Sequence, residues 1–194
     1  MKIVNLLAGI AFCSISLLAD EVVTHEHGQH HKELTPYYVA MKGIYSFGDD
    51  YTNDENIKEK GDSGYGIGLD AGYFFYKGSS NGFAVELDVT YESGDVTLYE
   101  EEEKFTHRAE YYTSSLDLVY VFKPIEQIGL IAKVGYEYEY EKFSDETSNE
   151  DDFIFAGGIE YHLSHHYRAL LEYEHSLIEG PKGDMVSLGV VYNF

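Results

Sequence analysis

The stretch Ile128-Gly129-Leu130-Ile131-Ala132-Lys133-Val134-Gly135-Tyr136-Glu137-Tyr138-Glu139-Tyr140-Glu141 decides the fold. Ile128, Leu130, Ala132, Val134, Tyr136, Tyr138 and Tyr140 occupy one set of alternate positions. Gly129, Ile131, Lys133, Gly135, Glu137, Glu139 and Glu141 occupy the other. Successive side chains of a strand point to opposite faces, so one face is apolar and aromatic and the other carries every charge. A helix would scatter both sets around its axis.

The same period of two recurs in seven further segments, 37–47, 64–75, 83–92, 111–122, 153–163, 167–174 and 186–194. Eight segments is an even number, as a closed antiparallel barrel of this kind requires. A soluble sandwich also alternates, so three further features decide the class. The connections alternate in length. Those at 77–82, 123–127 and 164–166 are short, and those at 49–63, 93–108, 142–152 and 177–183 are mostly longer. Aromatic residues gather at the ends of the apolar faces, among them Phe47, Phe75, Phe83, Tyr91, Phe122, Tyr140, Phe153 and Tyr192. Rings with a polar tip suit the two membrane interfaces. Finally, the sequence stops on Val190-Val191-Tyr192-Asn193-Phe194.

The remaining composition limits what the molecule can be. With 44% apolar residues it is not compositionally disordered. A formal net charge of −22 argues against nucleic-acid binding, which needs clustered Lys and Arg. Residues 1–19 read as a secretory signal: Lys2 supplies the positive start, residues 3–19 carry no charge, and cleavage is expected after Ala19. The single cysteine, Cys13, lies in this segment. A lipoprotein would need a small residue just before it, where Phe12 stands. The exported part then has no disulfide. Residues 20–35 form a polar, His-rich segment expected to be flexible, and the barrel is expected over 36–194.

The amphipathic strands and the terminal Phe194, alternating with Tyr192 and Val190, resemble those of small Gram-negative outer-membrane barrels of the OmpA transmembrane-domain, OmpX and opacity type, within the porin family. The resemblance implies an all-β, eight-stranded antiparallel up-and-down transmembrane β-barrel in the outer membrane. It also implies that Val190, Tyr192 and Phe194 form an assembly signal for the barrel assembly machinery. The partners implied are outer-membrane lipid and lipopolysaccharide, with short turns periplasmic and a monomer expected.

Eight strands enclose a lumen that side chains can fill. Lys42, Asp70, Asp88, Asp117, Lys133 and Glu172 fall at similar depth on the inward face and are expected to form a belt of buried ion pairs. Arg168, Glu160 and His162 lie nearer the periplasmic rim. Unpaired charges in a narrow tube are costly, so pairing is the expected arrangement. Inward glycines (Gly64, Gly66, Gly68, Gly129, Gly135, Gly158) leave room for the alternative of a small porin-like channel. A third reading, a lipid A-modifying enzyme, rests on His175-Ser176. This loosely resembles the His-x-Ser region of PagL-type deacylases, but adjacent strand residues face opposite ways. No cofactor is expected beyond weak divalent-metal binding by His25, His27, His30 and His31, whose imidazoles suit Zn, Cu and Ni. The acidic loops read as a solvated rim beside anionic lipopolysaccharide.

Overall fold

A computed structural model describes residues 35–52, 58–100, 103–143 and 146–194. The signal segment and the His-rich cluster lie outside the described residues. The strands are β1 (Tyr37–Ser46), β2 (Asp50–Thr52), β3 (Lys58–Gly61), β4 (Gly64–Lys77), β5 (Asn81–Glu100), β6 (Glu103–Ile125), β7 (Ile128–Phe143), β8 (Glu146–His162), β9 (Tyr167–Ser176) and β10 (Met185–Asn193). Eight of them, β1 and β4–β10, form an antiparallel ring. Each pairs with its neighbours in sequence along the ring, and β10 pairs with β1. The ring is closed, so it has no free edge inside the bilayer, where an unpaired backbone group would cost several kcal/mol.

The seam between first and last strands runs from Tyr38 opposite Asn193 to Ser46 opposite Met185. Backbone bonds extend it: the Thr35 N–H donates to the Phe194 carbonyl at 2.7 Å, and the Phe194 N–H donates to the Tyr37 carbonyl at 3.3 Å. Val190 faces outward, and the Tyr192 ring lies 5.0 Å from Phe194 and 5.2 Å from Tyr167.

Loop 93–108, read from sequence as a connection, is a continuation of the β5–β6 ribbon, which stays in register to Glu100 opposite Glu103. Loop 142–152 likewise prolongs β7 and β8. Within 49–63, β2 and β3 form a small hairpin that adds to the edge of β5. These strands run well past the roughly 9–11 residues a tilted strand needs to cross a bilayer, so the long-loop end projects beyond it. Alternation persists because Val96, Ala109 and Tyr111 pack together inside the extension.

The outer face is apolar. Leu69, Leu116, Leu118, Leu188 and Val190 are at least 46% exposed, as lipid-facing side chains should be. Rings flank this band: Phe83 contacts Phe75 and Tyr120 towards the short turns, while Tyr112 contacts Tyr91 and Tyr140 towards the long loops. Leu118, mid-strand between Val85 and Val134, marks the band's centre. Leu118→Arg is expected to cost about 2–4 kcal/mol of folding stability in lipid vesicles, measured by urea titration. A change below about 0.5 kcal/mol would mean this face does not meet hydrocarbon.

Candidate functional site in the barrel lumen

The lumen is layered. Nearest the short turns, Tyr38, Ala40, Phe74, Ala84, Val119, Val121, Leu170 and Val191 form an apolar cluster. Against it lies an ion pair between Arg168 and Glu160. His162 Nε2 sits 2.8 Å from Glu160, and Arg168 Nη2 donates to Asn193 Oδ1 at 3.2 Å. The guanidinium also covers the Tyr38 ring at 5.3 Å.

One level up is the belt. The register places Asp70 directly opposite Asp88, and Glu86 directly opposite Asp117. Like charges in such positions are destabilising unless a cation intervenes. Lys42 intervenes at the first pair, contacting Asp70 at 3.0 Å and also Asp88. Lys133 reaches Glu86 at 2.5 Å and Glu172 at 2.7 Å. Glu172 also lies 3.6 Å from Lys42, so it links the two lysines. Tyr38 Oη donates to Glu86 at 2.6 Å, tying the belt to the layer below. Lys42, Asp70, Asp88, Lys133 and Glu172 are thus brought together. Asp117, placed in the belt by sequence reasoning, has no ion pair among the described residues. Neither of its carboxylate oxygens has a hydrogen-bond partner among the described residues, and it occupies the space over Gly135. Glu86 takes the place expected for it. Two adjacent strands of a sheared barrel differ by one step in level, which alternation alone does not reveal.

The third layer was missed. Lys182 comes from the loop between β9 and β10, yet it is buried, 2.9 Å from Glu139, 3.3 Å from Glu92 and 3.8 Å from Glu137. Gly183 follows it at φ +70°, and a side chain there would collide with the Phe47 carbonyl. The glycine lets the loop turn so that the lysine enters the mouth. The usable signal was a lone lysine beside glycine in a loop facing three inward glutamates.

The inward glycines do not leave open space. A Cβ on Gly129 would meet the Glu160 side chain at 2.5 Å, one on Gly68 would meet Lys42 at 3.1 Å, and one on Gly66 would strike Glu92. Long charged side chains therefore lie across the barrel over glycines. Asp70, Glu86 and Asp88 bring three carboxylate oxygens within 4.8 Å of one another, a spacing a metal ion could use. Lys42 and Lys133 supply the positive charge there. His175 turns outward to Asp184 at 2.6 Å, while Ser176 turns inward to Glu137 at 3.3 Å, so the two do not form a base–nucleophile pair.

Above the Tyr112–Tyr140 girdle, Glu141 faces Ser148 across the ribbon. Burial, and then the charge of Glu139, push its carboxyl up to about 7, partly offset by the Ser148 hydroxyl donating at 3.2 Å.

The model of the outer membrane protein β-barrel domain family matches residues 6–194. Among solved structures, OprG from Pseudomonas aeruginosa superposes with a TM-score of 0.67 at 12% identity, over 83% of this chain and 97% of that one. Ail, the attachment invasion locus protein of Yersinia pestis, solved with the heparin analogue sucrose octasulfate, superposes with a TM-score of 0.55 at 18% identity, over 83% and 100%. Neisserial surface protein A gives a TM-score of 0.50 at 13% identity, over 84% and 100%. No curated protein sequence matches.

Two outcomes follow from the lumen. Lys133→Met removes the only ammonium paired with Glu86 and the nearer of the two beside Glu172 among the described residues, and should cost about 3–5 kcal/mol, read by urea unfolding in vesicles. A loss under about 1 kcal/mol would show that the belt lysine is dispensable. For Glu141, ionisation is disfavoured in the fold because its pKa is raised. The cost is absent below about pH 4.5, grows between 4.5 and about 7, and is complete above that. Glu141→Gln should leave stability unchanged at pH 4 and raise it at pH 8.5. Equal stability of both proteins at pH 8.5 would contradict this.

Proposed function

Because this chain belongs to the outer membrane protein β-barrel domain family, and so sits in the outer membrane of a Gram-negative bacterium, we propose that it is a plugged barrel. Its role is structural and surface-displaying rather than conductive. The observation that carries this reading is the Lys42–Lys133 belt, whose four carboxylate partners come from β4, β5 and β9 and so reach across the bore. The apolar cluster beneath and Lys182 above add two further closures. A charge is stable in so narrow a space only when paired, and the pairing geometry consumes the room a solute would need.

On this reading the polypeptide anchors in lipid and lipopolysaccharide through its apolar band. The prolonged β5–β6 and β7–β8 ribbons present acidic surface outside the cell. Glu150 and Asp151 lie on the exposed side of that projection, with Asp152 half-buried beside them. Recognition of Val190, Tyr192 and Phe194 by the barrel assembly machinery, export by residues 1–19 and weak metal binding by His25, His27, His30 and His31 belong to the same proposal.

A second reading, a narrow cation path, draws on one observation. Buried acids outnumber buried bases in the described lumen: Asp70, Glu86, Asp88, Glu92, Asp117, Glu137, Glu139, Glu160, Glu172 and Glu174 face only Lys42, Lys133, Arg168 and Lys182. Planar-bilayer recording of the purified protein separates the two. The plugged barrel should give no steady open events in 1 M salt. Sustained, cation-selective steps that disappear in a mock preparation would replace it with the channel.

A further inference from the structure

The rim of short turns encloses a second feature, independent of the belt. A cavity of about 400 Å³ opens there, lined by Lys77, Lys123, Arg168, His162 and His165, with Phe74 and Val121 contributing apolar surface. Its charge runs against that of the chain as a whole, in which 35 acids face 13 Lys and Arg. The acidic side chains in reach are Glu126 on the lining and Glu160, which is already engaged by Arg168 and His162. Neither Lys77 nor Lys123 has a salt bridge among the described residues. The Lys77 ammonium instead lies 5.5 Å over the inward-facing Phe74 ring, which turns it towards the bore rather than outward to lipid headgroups.

One buried donor in this cup is left unanswered, and the electrostatics of the two lysines agree with it. Arg168 is buried and spends its Nη atoms on Glu160 and Asn193, but its Nε–H has no acceptor among the described residues. Burial holds the Lys77 ammonium below its ordinary value, and the charges of Lys123 and Arg168 add to this. Lys123 is lowered by burial and by Arg168, with Glu160 opposing in both cases. Like charges converging in a partly desolvated cup cost free energy until an anion enters.

We propose that this periplasmic vestibule is a binding site for a small soluble organic oxyanion, of the phosphate-ester or carboxylate class, carrying an apolar group. Lys77 and Lys123 hold the anionic head by charge and hydrogen bonds, and Phe74 and Val121 receive the apolar part. The cavity is within the size range of small-molecule sites. Lysine acts there as a point charge without a fixed fork, which fits an oxyanion approached from several directions.

Phenyl phosphate is a suitable probe, titrated by calorimetry into detergent-solubilised full-length protein in phosphate-free buffer. It should bind about tenfold more tightly than inorganic phosphate, while uncharged phenol should not bind. The variant carrying Lys77→Gln and Lys123→Gln should lose about tenfold or more in affinity, the equivalent of one good charged contact. Lys104→Gln, on the exposed ribbon at the opposite end, should leave affinity unchanged. In the wild type, phenyl phosphate should protect Lys77 and Lys123 from amine acetylation, with Lys58 as the exposed reference. That readout does not depend on any variant folding. Equal affinity of wild type and double variant, or absence of protection, would overturn the proposal. Loss of probe binding in phosphatidylglycerol vesicles, with binding retained in phosphatidylcholine, would also overturn it by assigning the vestibule to lipid headgroups.

Discussion

The cost of an unpaired charge in a narrow, poorly hydrated tube governs the interior of this barrel. On the outer face a Lys or Arg at the bilayer centre costs a few kcal/mol, so ionisable groups are driven inward. Inside they meet a second penalty, removal from water, which only close pairing offsets. Lys42 meets it for Asp70 and Asp88, and Lys133 for Glu86 and Glu172. Asp70 and Asp88 would repel across β4 and β5, and Glu86 and Asp117 across β5 and β6, without a cation beside them. Tyr38, donating to Glu86 and lying under Arg168, joins the belt to the layer below. Tyr38 therefore links the belt to the Arg168–Glu160 pair and the apolar floor.

That connection orders the lumen along its axis. The short-turn end gathers Lys77, Lys123 and Arg168, and the long-loop end gathers Glu92, Glu137, Glu139 and Glu174 around the single Lys182. The two mouths thus have opposite electrical character, although the chain as a whole is strongly acidic. The arrangement places carboxylates at the end that projects beyond the bilayer and cationic groups at the short-turn end.

Much of this was legible in the sequence because a strand's period is two and lipid tolerates no charge. Once Lys133 and Glu137 are seen alternating with Val134 and Tyr136, the inward and outward sets of β7 are fixed, and the same logic assigns the other seven ring strands. Pairing inside the lumen was harder to read. Alternation tells which face Asp117 and Glu86 occupy, but shear between neighbouring strands sets which of them meets a lysine. Lys182 was hidden for a different reason. It belongs to no periodic segment, and only the left-handed turn at Gly183 shows that its loop folds inward. The extensions of β5 and β6 were also invisible, since Ser93 and Asp95 break the apolar outward face while the backbone ladder continues.

The seam where Thr35 and Tyr37 meet Phe194 has a consequence for how the molecule comes to exist. The strand that closes the cylinder is the last of the ring in chain order, and its partner is the first, about the whole barrel away along the chain. Such sequence-distant contacts make folding slow, because the loop entropy is spent before the closing contacts form. Until then two strand edges stay open and the apolar band has no lipid around it, a state prone to aggregation. The pairing of the first and last ring strands therefore seals both edges together.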